Sequence, residues 1–274
     1  MESDHIAVRR HNRQVRPPSD SPLWLWPNLL SLDAPLVAVV WQVLFARCFR
    51  ASAETLPAVL LVLAVWLIYV ADRALDAWSG MGRTPRHEFY RRYWRMVLPV
   101  WLAALAAGAV LTATQLAPAL FQRGLAVLAA VVLYFGTVHL APERVRRAWP
   151  KEAVVGLLFA LGASLEAWTK IRTAADVITV LLFSCLCWIN CAAIEKWESS
   201  GGMEWPVGAV AVCVGAAAFL LLYEHRPILG GAEMASALAF LLLDRGRRRF
   251  SADALRVLAD AALLSPVLFL PIAG

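Results

Sequence analysis

Long apolar runs alternate with short polar segments along most of the chain. With a window of about 20 residues, the length that crosses a bilayer core, nine apolar segments stand out. They occupy residues 27–47, 56–78, 96–116, 124–141, 152–169, 175–195, 205–223, 232–244 and 254–272, and the eighth is the shortest. This pattern predicts an all-α integral membrane protein with about nine transmembrane helices, numbered here as spans 1 to 9.

The polar segments between the spans predict the direction of the chain in the membrane. Eighteen Lys and Arg residues lie in the N-terminal tail and after spans 2, 4, 6 and 8, whereas five lie after spans 1, 3, 5 and 7. Because cytoplasmic loops carry an excess of basic residues, we expect a cytoplasmic N-terminus. Residues 1–22 lack the apolar core of a signal peptide. We interpret them as a cytosolic basic tail ahead of a single transmembrane domain at 23–274.

Composition agrees with a membrane protein. The chain has 274 residues, 60% of them hydrophobic, and a mean hydropathy of +0.62, whereas soluble domains are about 45–50% apolar. Membrane topology and anionic lipid headgroups account for the net charge of +6, so we expect membrane lipids as partners and no nucleic acid. The five cysteines lack the spacing of a metal site, which favours buried apolar roles.

Two carboxylates close span 2, in the stretch L-I-Y-V-A-D-R-A-L-D-A-W at Leu67–Trp78. Asp72 and Asp76 are one helical turn apart, so their side chains share a face and lie about 6 Å from each other. Mg²⁺ removes the repulsion between such a pair and completes its coordination with water and substrate phosphates. Alternatively, both residues lie at the membrane interface and Arg73 partly neutralises them.

This stretch and the following R-T-P-R at 83–86 resemble motifs of the UbiA superfamily of intramembrane prenyltransferases. The family has N-D-x-x-D-R-x-x-D in span 2, followed by a loop with R-T-x-x-R-P. The present chain reads I-Y-V-A-D-R-A-L-D, so Asp72, Arg73 and Asp76 match, while Ile68 and Tyr69 replace the family's Asn and first Asp.

The resemblance continues through spans 4 to 6. Tyr134 in span 4, the arginine-rich segment after it, and W-P-K-E-A-V-V-G-L-L-F-A-L-G at Trp149–Gly162 are similar to the family's tyrosine, basic loop and glycine-containing fifth helix. At the end of span 6 the chain reads W-I-N-C-A-A-I-E-K-W-E. Asn190, Glu195 and Glu198 therefore stand near the position of the family's second motif, D-x-x-x-D, without reproducing it.

The resemblance implies helices around a central cavity and a Mg²⁺ ion held by Asp72, Asp76, Glu195 and Glu198. It assigns catalytic roles to Asp72, Asp76 and Lys151. The implied substrate-binding residues are Tyr69, Arg73, Arg83, Arg86, Tyr134 and Asn190. The implied activity is transfer of a prenyl group from an isoprenyl diphosphate to a lipophilic acceptor, such as an aromatic ring, with release of pyrophosphate. We expect this site to face the cytoplasm from a bacterial-type inner membrane.

Several alternatives stay open at this point. A membrane terpene cyclase of the same type would act on the isoprenyl diphosphate without an acceptor, and a non-catalytic member would only bind isoprenoids. Lys151 is equally explained as a helix-start residue. Outside the motifs, Asp33 either caps span 1 or lines a cavity, Glu166 is expected at the outer interface, and Asp260 is expected to pair with Arg256 on one helix.

Overall fold

The computed structural model describes residues 22–52, 54–79, 85–140, 151–198, 207–223 and 226–273. This described part is all-α and contains no strand. Its helices are α1 (Trp26–Leu29), α2 (Asp33–Cys48), α3 (Thr55–Ser79), α4 (Pro85–Gln115), α5 (Pro118–Leu140), α6 (Lys151–Ala163), α7 (Ala174–Glu198), α8 (Val207–Tyr223), α9 (Pro227–Gly246), α10 (Ala252–Ala262) and α11 (Pro266–Phe269). Short 3₁₀ segments occupy Leu23–Leu25, Leu165–Thr169, Arg247–Arg249 and Leu270–Ile272. The predicted tail at 1–21 and the arginine-rich segment at 141–150 lie outside the described residues.

Six segments of the described chain are long and apolar enough to cross a membrane, which supports a multi-pass membrane protein. They are Thr55–Trp78, Arg86–Gln115, Pro118–Val138, Ala174–Trp197, Pro227–Arg249 and Ala252–Ile272, and the bent pair α1 and α2 makes a seventh if it counts as one span. The helices at the predicted spans 5 and 7, α6 and α8, have 13 and 17 residues and fall short of that length. The count of nine spans and the side of the N-terminus therefore stay predictions.

Two predicted boundaries differ from the structure. The eighth segment, expected to be the shortest, is the 20-residue helix α9. The polar segment at 79–95, interpreted as a loop, is mostly helical because α4 begins at Pro85. A proline ring sets φ for the first turn of a helix, so the polar residues that follow continue in α4. Arg86 is consequently a helical residue.

A sharp bend of 78° separates α1 from α2. Ser31 lies at the bend with a φ of 58°, in the left-handed region, which is strained for a residue with a Cβ atom. Its hydroxyl forms a 2.7 Å hydrogen bond with the Tyr90 hydroxyl and accepts one of 2.8 Å from Arg73. Arg73 also donates to the Asn28 carbonyl at 2.5 Å. Side chains of α3 and α4 therefore stabilise the break in the first span.

The main core lies where α2 packs against α7, α9 and α10. Trp41 and Phe183 are fully buried there, and their rings are stacked with centroids 4.1 Å apart. The Trp41 indole also donates to the Leu263 carbonyl at 2.8 Å. In contrast, the most apolar windows of α4 and α5 contain no buried residue. These two helices are the least buried of the long helices, and the cavity described next lies beside them.

Candidate functional site

An elongated cavity of about 480 Å³ lies between α3, α5 and α6. Its side walls are largely apolar and include Leu61 and Ala64 from α3, Leu128 from α5 and Leu158 from α6. The volume falls within the range of small-molecule sites, about 300–1,000 Å³. An apolar slot of this kind is suited to a hydrocarbon chain.

The two ends of the cavity are polar, and they differ in chemistry. Pro57 and Asp72 both line the cavity and lie 15 residues apart on α3, which corresponds to about 22 Å along a helix. Tyr69, Tyr134 and Cys191 line the Asp72 end. Gln42, Leu165 and Glu166 lie at the opposite end, where α3 and α5 begin and α6 has ended.

The Asp72 end brings together lining residues from three helices. Asp72 and Tyr69 come from α3, Tyr134 from α5 and Cys191 from α7, and all four line the cavity. Asp72 and Asp76 both act electrostatically on the Tyr134 hydroxyl. Arg86, at the start of α4, acts on the Cys191 thiol. The predicted residues of spans 2 and 4 thus surround the same end of the cavity.

Glu152 is a carboxylate of this region that the sequence reasoning did not single out. Its side chain is only 14% exposed, and its Oε1 atom lies 3.4 Å from the Lys151 ammonium, which is half exposed. Glu152 also acts on Tyr134 and on Cys191. From the sequence alone, Glu152 is explained as an acidic residue in the first turn of a helix, where it interacts favourably with the helix dipole. Its position near the cavity becomes evident only from the packing of α6 against α7.

Glu195 and Asn190, which stand near the position of the family's second motif, lie next to different helices. Glu195 is exposed and interacts with Glu152 and Lys151, so it lies on the α6 side of the site. The side chain of Glu198 lies outside the described residues, as does Arg83. Asn190 is turned toward α10, where its amide donates to Asp260 Oδ1 at 3.0 Å.

A second buried polar cluster lies behind Tyr69 and is centred on Arg73. The Arg73 guanidinium lies 3.6 Å from Asp33 Oδ2 and 5.7 Å from the centre of the Tyr69 ring. The Asn28 amide donates to Asp33 at 2.5 Å and makes a longer contact of 3.4 Å with Asp260. Arg73 therefore faces the α1–α2 bend rather than the cavity wall.

The three acids outside the motifs have more specific surroundings than predicted. Asp33 accepts a hydrogen bond from the Ala34 backbone at the start of α2 and pairs with Arg73, and it is not among the residues that line the cavity. Asp260 joins α10 to α7 through Asn190, while Arg256 pairs with Asp253 at 3.3 Å. Asp260 thus makes a contact between helices that was not expected, while Arg256 pairs within α10.

Glu166, expected at the outer interface, lines the cavity. Its Oε2 atom accepts a 2.7 Å hydrogen bond from the Gln42 amide. The 3₁₀ turn at Leu165–Thr169, which follows the end of α6, brings it there. A hydropathy window over 152–169 does not distinguish this turn from a continuous helix.

Asp72 and Asp76 supply carboxylate oxygens, the donor type that Mg²⁺ prefers in proteins. Across the described ranges there is no group of three or more His, Cys, Asp and Glu side chains placed to hold a metal ion. However, Mg²⁺ commonly uses one or two protein carboxylates and completes its shell with water and substrate phosphates. Asp72 and Asp76, one turn apart beside an apolar cavity, satisfy that smaller requirement.

Comparisons of this chain with protein-family models, with curated proteins and with solved structures find no match.

Proposed function

We propose that this protein is a Mg²⁺-dependent intramembrane prenyltransferase of the UbiA type, which transfers a prenyl group from an isoprenyl diphosphate to a lipophilic acceptor. The observation that carries the proposal is the apolar cavity of about 480 Å³ with Asp72 at one end. An isoprenyl diphosphate has the same division into a long apolar chain and a charged head. The resemblance of the span-2 motif supports the same assignment.

In this proposal the diphosphate lies at the Asp72 end and the prenyl chain extends along α3 toward Gln42. Asp72 and Asp76 would hold Mg²⁺, and the bound ion would neutralise the negative charge of the diphosphate. Arg86 and Lys151 add positive charge on the side of α4 and α6, and Arg83 is assigned the same role from the sequence. Fixed positive charge near the leaving group stabilises the negative charge that develops on it.

The reaction breaks the bond between the allylic carbon and the diphosphate oxygen, and its electron pair leaves with pyrophosphate. A new bond forms between the allylic carbon and a nucleophilic atom of the acceptor, which then loses a proton. The apolar walls exclude water, which would otherwise capture the allylic cation. Tyr69 and Tyr134 place aromatic rings beside this end of the cavity, where ring faces stabilise positive charge.

The direct test is pyrophosphate release by purified protein reconstituted in lipid, with Mg²⁺ and geranyl, farnesyl or geranylgeranyl diphosphate. We expect Asp72→Asn and Asp76→Asn each to lower the rate by at least about 100-fold, and removal of Mg²⁺ by EDTA to abolish it. Glu88→Gln, which makes the same carboxylate-to-amide exchange in an exposed ion pair with Arg91, serves as the matched control. Unchanged release in both site variants would reject the proposal.

The second candidate is a membrane terpene cyclase, and the aromatic wall of the cavity favours it. Phe135 and Phe159 join the two tyrosines in lining the cavity, which suits a carbocation that rearranges before it loses a proton. The two activities differ in their products. Incubation with each diphosphate alone would yield a hydrocarbon or terpene alcohol from a cyclase, whereas the prenyltransferase needs an added acceptor for its prenylated product.

A further inference from the structure

Gln42 and Glu166 form the end of the cavity remote from Asp72. Gln42 is 3% exposed and donates to Glu166 Oε2 at 2.7 Å. Glu166 also accepts a hydrogen bond from the backbone of Glu54, three residues before Pro57 in the cavity wall. These contacts place the pair level with the beginning of α3, about one cavity length from Asp72.

This end differs chemically from the side walls. Between the two ends the cavity is lined by side chains such as Leu61, Ala64 and Leu128. Gln42 Oε1 is buried and has no hydrogen-bond partner among the described residues, and the Glu166 carboxyl group also accepts hydrogen bonds. The terminal methyl groups of an isoprenyl chain donate none. Pressed against this pair, they would remove water from the partly exposed Glu166 carboxyl group and would offer no donor to Gln42 Oε1, which is unfavourable.

Building on the prenyl-diphosphate function proposed above, we propose that Gln42 and Glu166 form a polar floor that sets the length of the prenyl chain accepted by the cavity. The site therefore selects its donor by length. A chain that ends before the floor contacts only apolar walls, whereas a longer chain meets the amide and the carboxyl group.

The dimensions of the cavity give the expected length. The wall from Asp72 to Pro57 spans about 22 Å. An extended polypeptide advances about 3.3–3.6 Å over three backbone bonds, so the four main-chain bonds of an isoprene unit cover about 4.6 Å. Four units therefore fit between the diphosphate end and the floor. A fifth unit reaches Gln42 and Glu166, and a sixth has no room.

The test measures binding separately from turnover. Non-hydrolysable thiolo-diphosphates with two, three, four and six isoprene units are titrated with Mg²⁺ into protein reconstituted in lipid nanodiscs. For the wild-type protein we expect affinity to rise up to four units and to be at least about tenfold weaker at six units. In the double variant Gln42→Met and Glu166→Met, the six-unit probe should bind within about threefold of the four-unit probe. Gln115→Met, on an exposed glutamine at the end of α4, should keep the wild-type profile.

A second variant shortens the cavity instead of changing its floor. If the double variant does not fold, this second variant still tests whether cavity length limits the length of the prenyl chain. Ala64 lines the cavity eight residues before Asp72, or about 12 Å along the helix. Ala64→Phe should preserve binding of the two-unit probe and weaken the four-unit probe by at least about tenfold. The control is Ala106→Phe on the outward face of α4, which should change neither.

The possible outcomes distinguish a failure of the polar-floor proposal from a failure of the proposed enzymatic function. A double variant with the wild-type length profile, or an Ala64→Phe variant that weakens all probes equally, overturns the floor whether or not turnover occurs. Absence of pyrophosphate release from every substrate rejects the proposed function, while the binding profile still decides the floor. If no probe binds to folded wild-type protein, both proposals fall.

Discussion

Replacing Arg73 by methionine should destabilise the protein by weakening the bend between α1 and α2. Arg73 is 6% exposed and donates to the Asn28 carbonyl and the Ser31 hydroxyl at 2.5 and 2.8 Å. Its guanidinium also faces Asp33 Oδ2 at 3.6 Å. Methionine fills much of the same apolar volume, so the substitution chiefly removes these polar contacts.

The expected loss follows from the burial of Arg73 and Asp33. Removing one partner of a buried ion pair costs about 3–5 kcal/mol, because the remaining charge keeps its desolvation penalty. For a chain of this size each kcal/mol lowers the Tm by about 2–4 °C. We therefore expect Arg73→Met to lower the Tm by about 6–20 °C, measured by circular dichroism in detergent micelles.

Arg91→Met is the matched control for this measurement. Arg91 pairs with Glu88 one turn earlier on α4, but both side chains are considerably exposed, at 55% and 37%. Exposed pairs contribute about 0–1 kcal/mol, so the control should melt within a few degrees of the wild-type protein. Adding Asp33→Leu to Arg73→Met should recover part of the loss, because the carboxylate that faced Arg73 at 3.6 Å is then removed as well. An Arg73→Met protein with the wild-type Tm would refute the reasoning.

Two further substitutions test the packing and the site. At Gly156 an added Cβ atom would lie 2.6 Å from the Ser184 carbonyl oxygen. Gly156→Ala should therefore push α6 away from α7 and lower the free energy of unfolding, measured by thermal denaturation, by about 1–3 kcal/mol. In the control Gly136→Ala the added Cβ atom has nothing within 4 Å, so the free energy of unfolding should not fall in this way. Glu152 holds the Lys151 ammonium at 3.4 Å, so Glu152→Gln should misplace this positive charge and lower pyrophosphate release by at least about tenfold at an unchanged Tm. Equal turnover in Glu152→Gln and in the exposed control Glu88→Gln would exclude this positioning role.

Hydropathy predicted the positions of the apolar helices, but it did not predict the bends and turns that interrupt them. Within the described residues, each apolar segment of the sequence coincides with helical structure, because a run of apolar residues needs internal backbone hydrogen bonds in lipid. The bend at Ser31 was not predictable in this way. Its left-handed φ is stabilised by Arg73 and Tyr90, which lie far along the chain. The turn that carries Glu166 was missed for a related reason, since a sliding average does not register a single 3₁₀ turn.

In the candidate site, too, local features of one helix were predicted from the sequence, whereas contacts between helices were not. The i, i+4 spacing of Asp72 and Asp76 is a local property of one helix, so the sequence alone indicated their shared face. Glu152 and Gln42 were missed because their significance depends on neighbouring helices. Asp260 was expected to interact within its own helix, whereas the structure joins it to Asn190. No periodicity in a single sequence identifies which residue of a distant helix will lie opposite.

The adjacent residues Asp72 and Arg73 illustrate how one turn of helix serves both the cavity and the fold. Successive residues on a helix point about 100° apart. Asp72 accordingly lines the cavity, whereas Arg73 faces Asn28 and the α1–α2 bend. The motif interpretation treated both as site residues, but their surroundings predict separable effects. Asp72→Asn should reduce pyrophosphate release without lowering the Tm, because the half-buried Asp72 side chain lies at the cavity wall. A comparable loss of Tm in Asp72→Asn and Arg73→Met would contradict this division between cavity and bend.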